Sequence, residues 1–303
     1  MARPPRLDYP GAIHHVMNRG AARQATFHSD HDRRDFTGLW SEAVERFGIV
    51  VLAYAWMGNH FHALVCSPEG QLSTSLQYIA QVYTQRFNRR HARDGALFRG
   101  RFHSILVDSD NYLDRVARYI ERNPFEAGLV DATQLMRYRW SSLHHYLRPT
   151  TGDWVTTQPL LDRVGGRHAY LNYVLSSEAD FELKRFYSDE RHSRVVLGKE
   201  EFVAQLPQDV QRMKPLAGIP PISLEAIEHA IQMIAGGLTP TSRLVALQLG
   251  QQVGRASGRE LADRYEFNTP QSVYNALEKS RKDPDVVRLS GAVLEYLDRR
   301  AAA

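Results

Sequence analysis

Two apolar runs, IVVLAYAWM and HFHALVC, lie on either side of Gly58-Asn59. Each reads as a strand, and Gly-Asn is reversal chemistry, so the spacing predicts a β-hairpin. What flanks the hairpin restricts the fold further. Before it comes AIHHVMN as a short strand, then SDHDRRDFTGLWSEAVERFG, an amphipathic helix opened by a Ser N-cap and closed by Gly48. After it come a long helix from about Ser73 to Arg93, a turn at Asp94-Gly95, the strand LFRGRFHSILV, and the helix SDNYLDRVARYIERN ending at Pro124. The order βαββαβα predicts an α+β domain, a ferredoxin-like antiparallel sheet with helices on one face.

The remainder has a different texture. Residues 148–165 are rich in Thr, Pro and Gly, the composition of a connection, and beyond them almost everything reads helical. The expected division is the α+β domain over 1–150, a helical connecting region over 151–222, and an all-α, helix-turn-helix-like extension over 223–303. In the extension, SGRELADRYEFNTPQSVYNALEKSRK has the proportions of two short helices about a turn at EFNT. A plain helical bundle fits the same pattern.

Charge separates along the same line. Residues 1–150 carry 19 of the 38 basic residues, every one arginine, against 14 of the 34 acidic ones, a surplus of five; the rest carries 19 against 20, a deficit of one. Arginine binds phosphate through a planar fork that an ammonium lacks. Six arginines, Arg86, Arg89, Arg90, Arg93, Arg99 and Arg101, crowd one stretch together with Phe87, Phe98 and Phe102. They are candidates for backbone phosphates of single-stranded or hairpin DNA, with the phenylalanines read as core. A single cysteine, Cys66, excludes an internal disulfide and a thiolate cluster. No apolar run approaches the roughly 18 residues of a membrane span, so the chain is expected to be cytoplasmic, and the arginine cluster, read as binding DNA, places it with the nucleoid.

His60 and His62 flank one apolar residue. On a strand, side chains at i and i+2 share a face, so the two imidazoles can reach one ion. Spacing alone fits an ordinary half-buried strand equally well. A zinc site completed by Cys66 is disfavoured, because Cys66 lies about 13 Å along the strand from His62.

The text MGNHFHALV resembles the MPNHVHLL signature of REP-associated tyrosine transposases, within the HUH single-tyrosine nucleases. The blocks HHVMNRG, LFRGRFHSILVD, YLDRVARYIERNPFEAGLV and YRWSSLHHYL match in order, spanning roughly residues 7–147. Gly58 departs from the family's proline. The resemblance implies an HUH nuclease domain with a tyrosine nucleophile on the last helix ahead of Asn-Pro, which here is Tyr119. It also implies a divalent ion, Mg²⁺ or Mn²⁺, on His60 and His62, with an amide in the third place. That amide falls on Asn123, one turn after Tyr119. By helical geometry Tyr119 lies at the edge of the apolar stripe of Leu113, Val116, Ala117 and Ile120, about 110° from its centre, which also suits a boundary tyrosine of no catalytic role. Tyr112 competes for the same role.

The implied activity is cleavage and rejoining of REP hairpin DNA through a 5′-phosphotyrosine, by a monomer or weak dimer without membrane involvement. Alternatives are a catalytically silent REP-hairpin-binding regulator and an HUH replication initiator or relaxase. The extension weakly resembles the helix-turn-helix domain of bacterial replication initiators. That likeness would aim Gln271, Ser272 and Asn275 at a groove and Arg281 and Lys282 at phosphates.

Overall fold

A computed structural model describes residues 7–148, 153–188, 195–206, 222–254, 256–280 and 283–301. The chain divides into two compact units, the first made of residues 1–176 with 193–218 and the second of 177–192 with 219–303. The connecting region expected over 151–222 is thus shared between the two units.

In the first unit, strands β1 (Ala12–Arg19), β2 (Val50–Trp56), β3 (His60–Ser67), β4 (His103–Val107) and β5 (Val196–Leu197) form one sheet in the order β2-β3-β1-β4-β5. The pairs β2/β3, β3/β1 and β1/β4 are antiparallel, the ferredoxin-like arrangement expected. A two-residue strand, β5, adds to β4 in parallel, a partner that no periodicity in its neighbourhood announced.

Two of the three long helices cover one face. Helix α1 (Asp30–Phe47) begins in a capping box between Ser29 and Asp32 and ends on Gly48 at φ 64°. It packs beside α2 (Leu72–Arg90), and together they bury Phe36, Leu39, Trp40, Ile79, Tyr83 and Phe87 against Trp56, Phe61, Ala63 and Val65. Phe98 and Phe102 join this core, as their apolar character predicted.

The third, α3 (Ser109–Glu126), lies on the opposite face, so the expectation of helices on one face holds only for α1 and α2. The reason is alternation. Phe61, Ala63 and Val65 of β3 point to α1 and α2, so His60, His62 and Leu64 must point the other way, where α3 packs. Helix α3 also runs through Pro124 to Glu126 instead of ending there. A proline near a helix end removes one hydrogen bond without closing the helix, and Ala127, Gly128 and Leu129 take over the last carbonyls. The strand read over LFRGRFHSILV keeps only its second half, since Leu97 to Arg101 form a loop held by the Gly20–Phe98 bridge.

The segment read as a connection is packed instead. Val155 bridges Val51 in parallel, Trp154 stacks on Tyr54 at 5.1 Å, and a helix follows at Gln158–Val164. A second helix, Arg167–Leu175, offers its last carbonyls to α3: Arg118 donates to Tyr173 and Ser176, and Arg122 to Val174 and Ser176.

The second unit is helical throughout its described residues. Helices Leu224–Ala235 and Pro240–Gln252, opened by caps at Ser223 and Thr239, pack with Pro284–Ala301 around Ile227, Ile231, Val245, Leu249, Val286 and Val293. Helices Gly258–Arg264 and Pro270–Ser280 form the expected helix-turn-helix pair, burying Leu261, Ala262, Val273 and Leu277. No described helix is long and apolar enough to cross a membrane.

One buried carboxylic acid joins α3 to the sheet. Glu121 is fully buried, and its Oε1 accepts from Ser142 Oγ at 2.6 Å, while Ser142 Oγ accepts from the Tyr54 N–H at 2.7 Å. Burial pushes the Glu121 carboxyl up to about 8, against the opposing hydrogen bonds of Ser142, Ser141 and Leu143. The folded state therefore holds the protonated acid. Its contribution is complete below the ordinary value of 4.5 and is lost as pH rises to about 8. Glu121→Gln keeps an acceptor without the charge. At pH 9 the variant should be more stable than the parent by roughly 3–5 kcal/mol, and at pH 4.5 by nothing. Thermal melts of the two proteins across pH check this, and profiles that stay parallel throughout would overturn it by showing the carboxyl to be ionised in the fold.

Candidate active site

The face of the sheet turned to α3 carries an unusual density of imidazoles. The β1/β3 register sets Met17 opposite His62 and Arg19 opposite His60, so Arg19, Met17 and, two residues earlier, His15 share their face. The β1/β4 register brings His103 opposite Met17 on the same side.

His60 and His62 lie together, with ring centroids 5.1 Å apart and planes nearly perpendicular at 87°. Helix α3 brings Tyr119 against His62 and His15. Its ring centroid is 6.1 Å from that of His62 and 5.9 Å from that of His15, edge-on in both cases. Tyr119 and Asn123 share a face, as i and i+4 spacing requires, and Asn123 Nδ2 donates to the Tyr119 carbonyl at 2.9 Å. That bond uses the amide nitrogen and leaves the amide oxygen for another partner. Tyr112, the rival tyrosine, is completely buried, with Arg115 over its ring at 4.7 Å.

Each histidine is held at one nitrogen. His60 Nδ1 donates to Asn59 Oδ1 at 2.7 Å, and His62 Nδ1 lies 2.9 Å from His15 Nε2. In each ring this leaves Nε2. Burial, then Arg19, lowers the His60 imidazole below its ordinary value; burial, then His15 and His60, lowers His62 well below it. Both rings are therefore neutral near pH 7, each with a lone pair to give. Among the described residues no three His, Cys, Asp or Glu side chains converge on one point. An ion on this pair needs a ligand of another type, and the Asn123 amide oxygen is of that type. The donor set, two imidazole nitrogens and an amide oxygen with open positions, fits Mn²⁺ or Mg²⁺.

Burial raises the Tyr119 phenol above its ordinary value, with Asn123 opposing and Glu126 adding to the rise, so its surroundings favour the neutral phenol.

The six arginines divide into two groups. Arg86 pairs with Asp35 at 2.8 Å, and Arg90 with Asp32 at 2.7 Å and Asp35 at 2.9 Å, tying α2 to α1. Arg93 donates to Gln24 and lies over the Phe87 ring. Arg89, Arg99 and Arg101 are exposed and make no ion pair among the described residues. Arg99 is tied to the site through its backbone, its N–H donating to the Arg19 carbonyl at 2.9 Å. Gln271 and Asn275 are exposed on the second helix of the helix-turn-helix pair in the other unit, where Gln271 Nε2 donates to Asn275 Oδ1 at 3.2 Å. Ser272 is half-buried there and bonds Thr269, while Arg281 and Lys282 lie outside the described residues.

Sequence reasoning missed His15, Arg19, Asn59 and His103. All four stand inside recognisable blocks, but the strand pairing that gathers three of them is invisible to spacing. Only Asn59, adjacent to His60, carried a local signal.

Residues 9–123 match the family model described as transposase IS200 like. No curated protein matches the chain. A solved structure described as a REP-associated tyrosine transposase bound to a REP hairpin aligns at 16% identity and a TM-score of 0.43, covering 52% of this chain and 92% of that one.

Asp32 is fully buried. Burial would raise its carboxyl, yet His91, Arg90, the His28 N–H and Ser29 together hold it well below the usual carboxylate range. Arg90→Ala removes the guanidinium from this buried charge and should cost roughly 1–3 kcal/mol of stability, read as a lowered denaturant midpoint. An unchanged midpoint would free Arg90 for a phosphate after all.

Proposed function

We propose that this chain cuts and rejoins single-stranded DNA at REP-type hairpins, with Tyr119 as nucleophile. The observation that carries the proposal is the meeting of Tyr119 on α3 with His62 of the His60/His62 pair on β3, at a ring separation of 6.1 Å. A buried structural tyrosine would gain nothing from two neutral imidazoles beside it. The transposase IS200 like domain over 9–123 points the same way, since it contains all three residues and Asn123.

Under this reading His60, His62 and Asn123 would hold Mg²⁺ or Mn²⁺, which polarises the scissile phosphate and neutralises charge on its oxygens. The Tyr119 oxygen bonds to phosphorus as the bond to the 3′-oxygen breaks, and the phenolic proton ends on the released 3′-hydroxyl. The product is a 5′-phosphotyrosine. It conserves the phosphodiester, so another 3′-hydroxyl can reverse the attack and join strands without a nucleotide cofactor. Half-burial of Tyr119 between His15, His62 and Asn123 limits its rotamers and keeps bulk water from competing with the incoming strand.

The phosphate track then runs over Arg19, Arg89, Arg99 and Arg101, because Arg86 and Arg90 are spent on Asp32 and Asp35. The exposed Gln271 and Asn275 would give the second unit a role in duplex recognition, on the outward side of the helix that carries Val273 and Leu277 inward.

Tyr119→Phe removes one hydroxyl. Incubation with hairpin oligonucleotides and Mn²⁺ should give a covalent adduct on a denaturing gel with the parent chain and none with the variant, at equal hairpin affinity. An adduct mapped to another tyrosine, or none with the parent under any divalent ion, would defeat the assignment; the second result would favour a silent hairpin-binding protein. Replacing Arg99 and Arg101 with Ala should lower the slope of log affinity against log salt by about one to two, whereas Arg86→Ala should leave the slope unaltered. Equal slopes in all three proteins would place the phosphate contacts elsewhere.

A further inference from the structure

We infer that His15 is a positioning residue that sets the tautomer of His62, so that His62 presents a lone pair at Nε2, and that backs the ring of Tyr119. The inference rests on the metal-dependent reading of His60 and His62 above. His15 comes from β1, is completely buried, and touches both groups that the chemistry uses.

The argument begins with His60. Its Nδ1 faces Asn59 Oδ1, and an amide oxygen only accepts, so the His60 proton sits on Nδ1 and the lone pair on Nε2. At His62 the neighbour is another imidazole, which can either donate or accept. A neutral pair has two arrangements. If His62 Nδ1–H donates to His15 Nε2, the open edge of His62 is a lone pair, matching His60. If His15 Nε2–H donates, the open edge of His62 carries a proton and cannot bind a cation. Only the first arrangement gives one ion two nitrogens.

Geometry supports a directing role. The Nε2 to Nδ1 separation of 2.9 Å is that of a good hydrogen bond, and both rings are withdrawn from water, so no solvent molecule can substitute for either partner. The His15 ring also closes one side of Tyr119, its plane at 70° to the phenol. A single side chain from a strand distant in sequence thus fixes the metal edge of one ligand and the seat of the nucleophile. Groups behind a ligating histidine commonly act in this way, and their loss weakens metal binding about 10- to 100-fold.

Two measurements on the full chain test the inference without relying on cleavage. Long-range proton–nitrogen correlation spectra of the metal-free, ¹⁵N-histidine protein should show His60 and His62 both protonated at Nδ1. A spectrum with His62 protonated at Nε2 would overturn the inference. Mn²⁺ titration without DNA, read by electron paramagnetic resonance, should give about 10- to 100-fold weaker binding for His15→Leu. His15→Gln, whose amide oxygen can accept the same N–H, should recover most of the affinity. Hairpin binding in EDTA checks that each variant is folded, and the spectra of the parent decide the question should His15→Leu fail to fold. Equal Mn²⁺ affinity in a folded His15→Leu protein would also overturn the inference. His60→Ala separates the two levels: if it leaves Mn²⁺ binding intact, the metal reading of the histidine pair is wrong, whatever the tautomer of His62.

Discussion

Strand β3 is held to one register by having two incompatible faces. Phe61, Ala63 and Val65 belong to a core of aromatic rings under α1 and α2, while His60 and His62 belong to the opposite side. A slip of one residue would turn two imidazoles into that core and three apolar side chains out of it, at a cost comparable with the stability of a whole domain. The strand lies between β2 and β1 with both edges paired, so it cannot twist away from the choice. The position of the candidate site therefore follows from apolar packing on the other side of the sheet.

The imidazole face needs a cover that is apolar enough to dock and polar enough to work, and α3 has both properties. Leu113, Val116, Ala117 and Ile120 bury against β2 and β3, and Glu121 with Ser142 pins the helix to the backbone of Tyr54. Arg118 and Arg122 fasten its outer side to the carbonyl end of Arg167–Leu175. With three independent attachments the helix has little freedom to rotate, and Tyr119 and Asn123 take up defined positions at the edge of its buried stripe. A polar pair at a boundary is exposed to substrate on one side and fixed by packing on the other, which is what positioning a reactive group requires.

Electrostatics divide the arginines by their neighbours. Where α1 supplies Asp32 and Asp35, guanidinium groups become struts between helices. Along the loop before β4, with no such acids, Arg99 and Arg101 remain open to solvent. The same residue type thus serves stability at one end of the stretch from Arg86 to Arg101 and is open to solvent at the other, and the net surplus of the first 150 residues does not reveal the division.

The sequence by itself determined the order and type of the elements, because periodicity, caps and turn residues are local: Ser29 and Gly48 bound α1 as read, and the hairpin about Gly58-Asn59 is present. It also determined that His60 with His62, and Tyr119 with Asn123, are same-face pairs, since both spacings lie within one element. Only the tertiary structure decided that these two pairs meet, that α3 crosses to the far side of the sheet, and that His15 from β1 stands behind His62. It alone decided, too, that Tyr112 is core and that residues 153–176 belong to the first unit. The physical reason is common to all of these. Strand register and helix docking are settled by the burial of whole faces against residues far away in the chain, and that free energy has no period that a single segment can display.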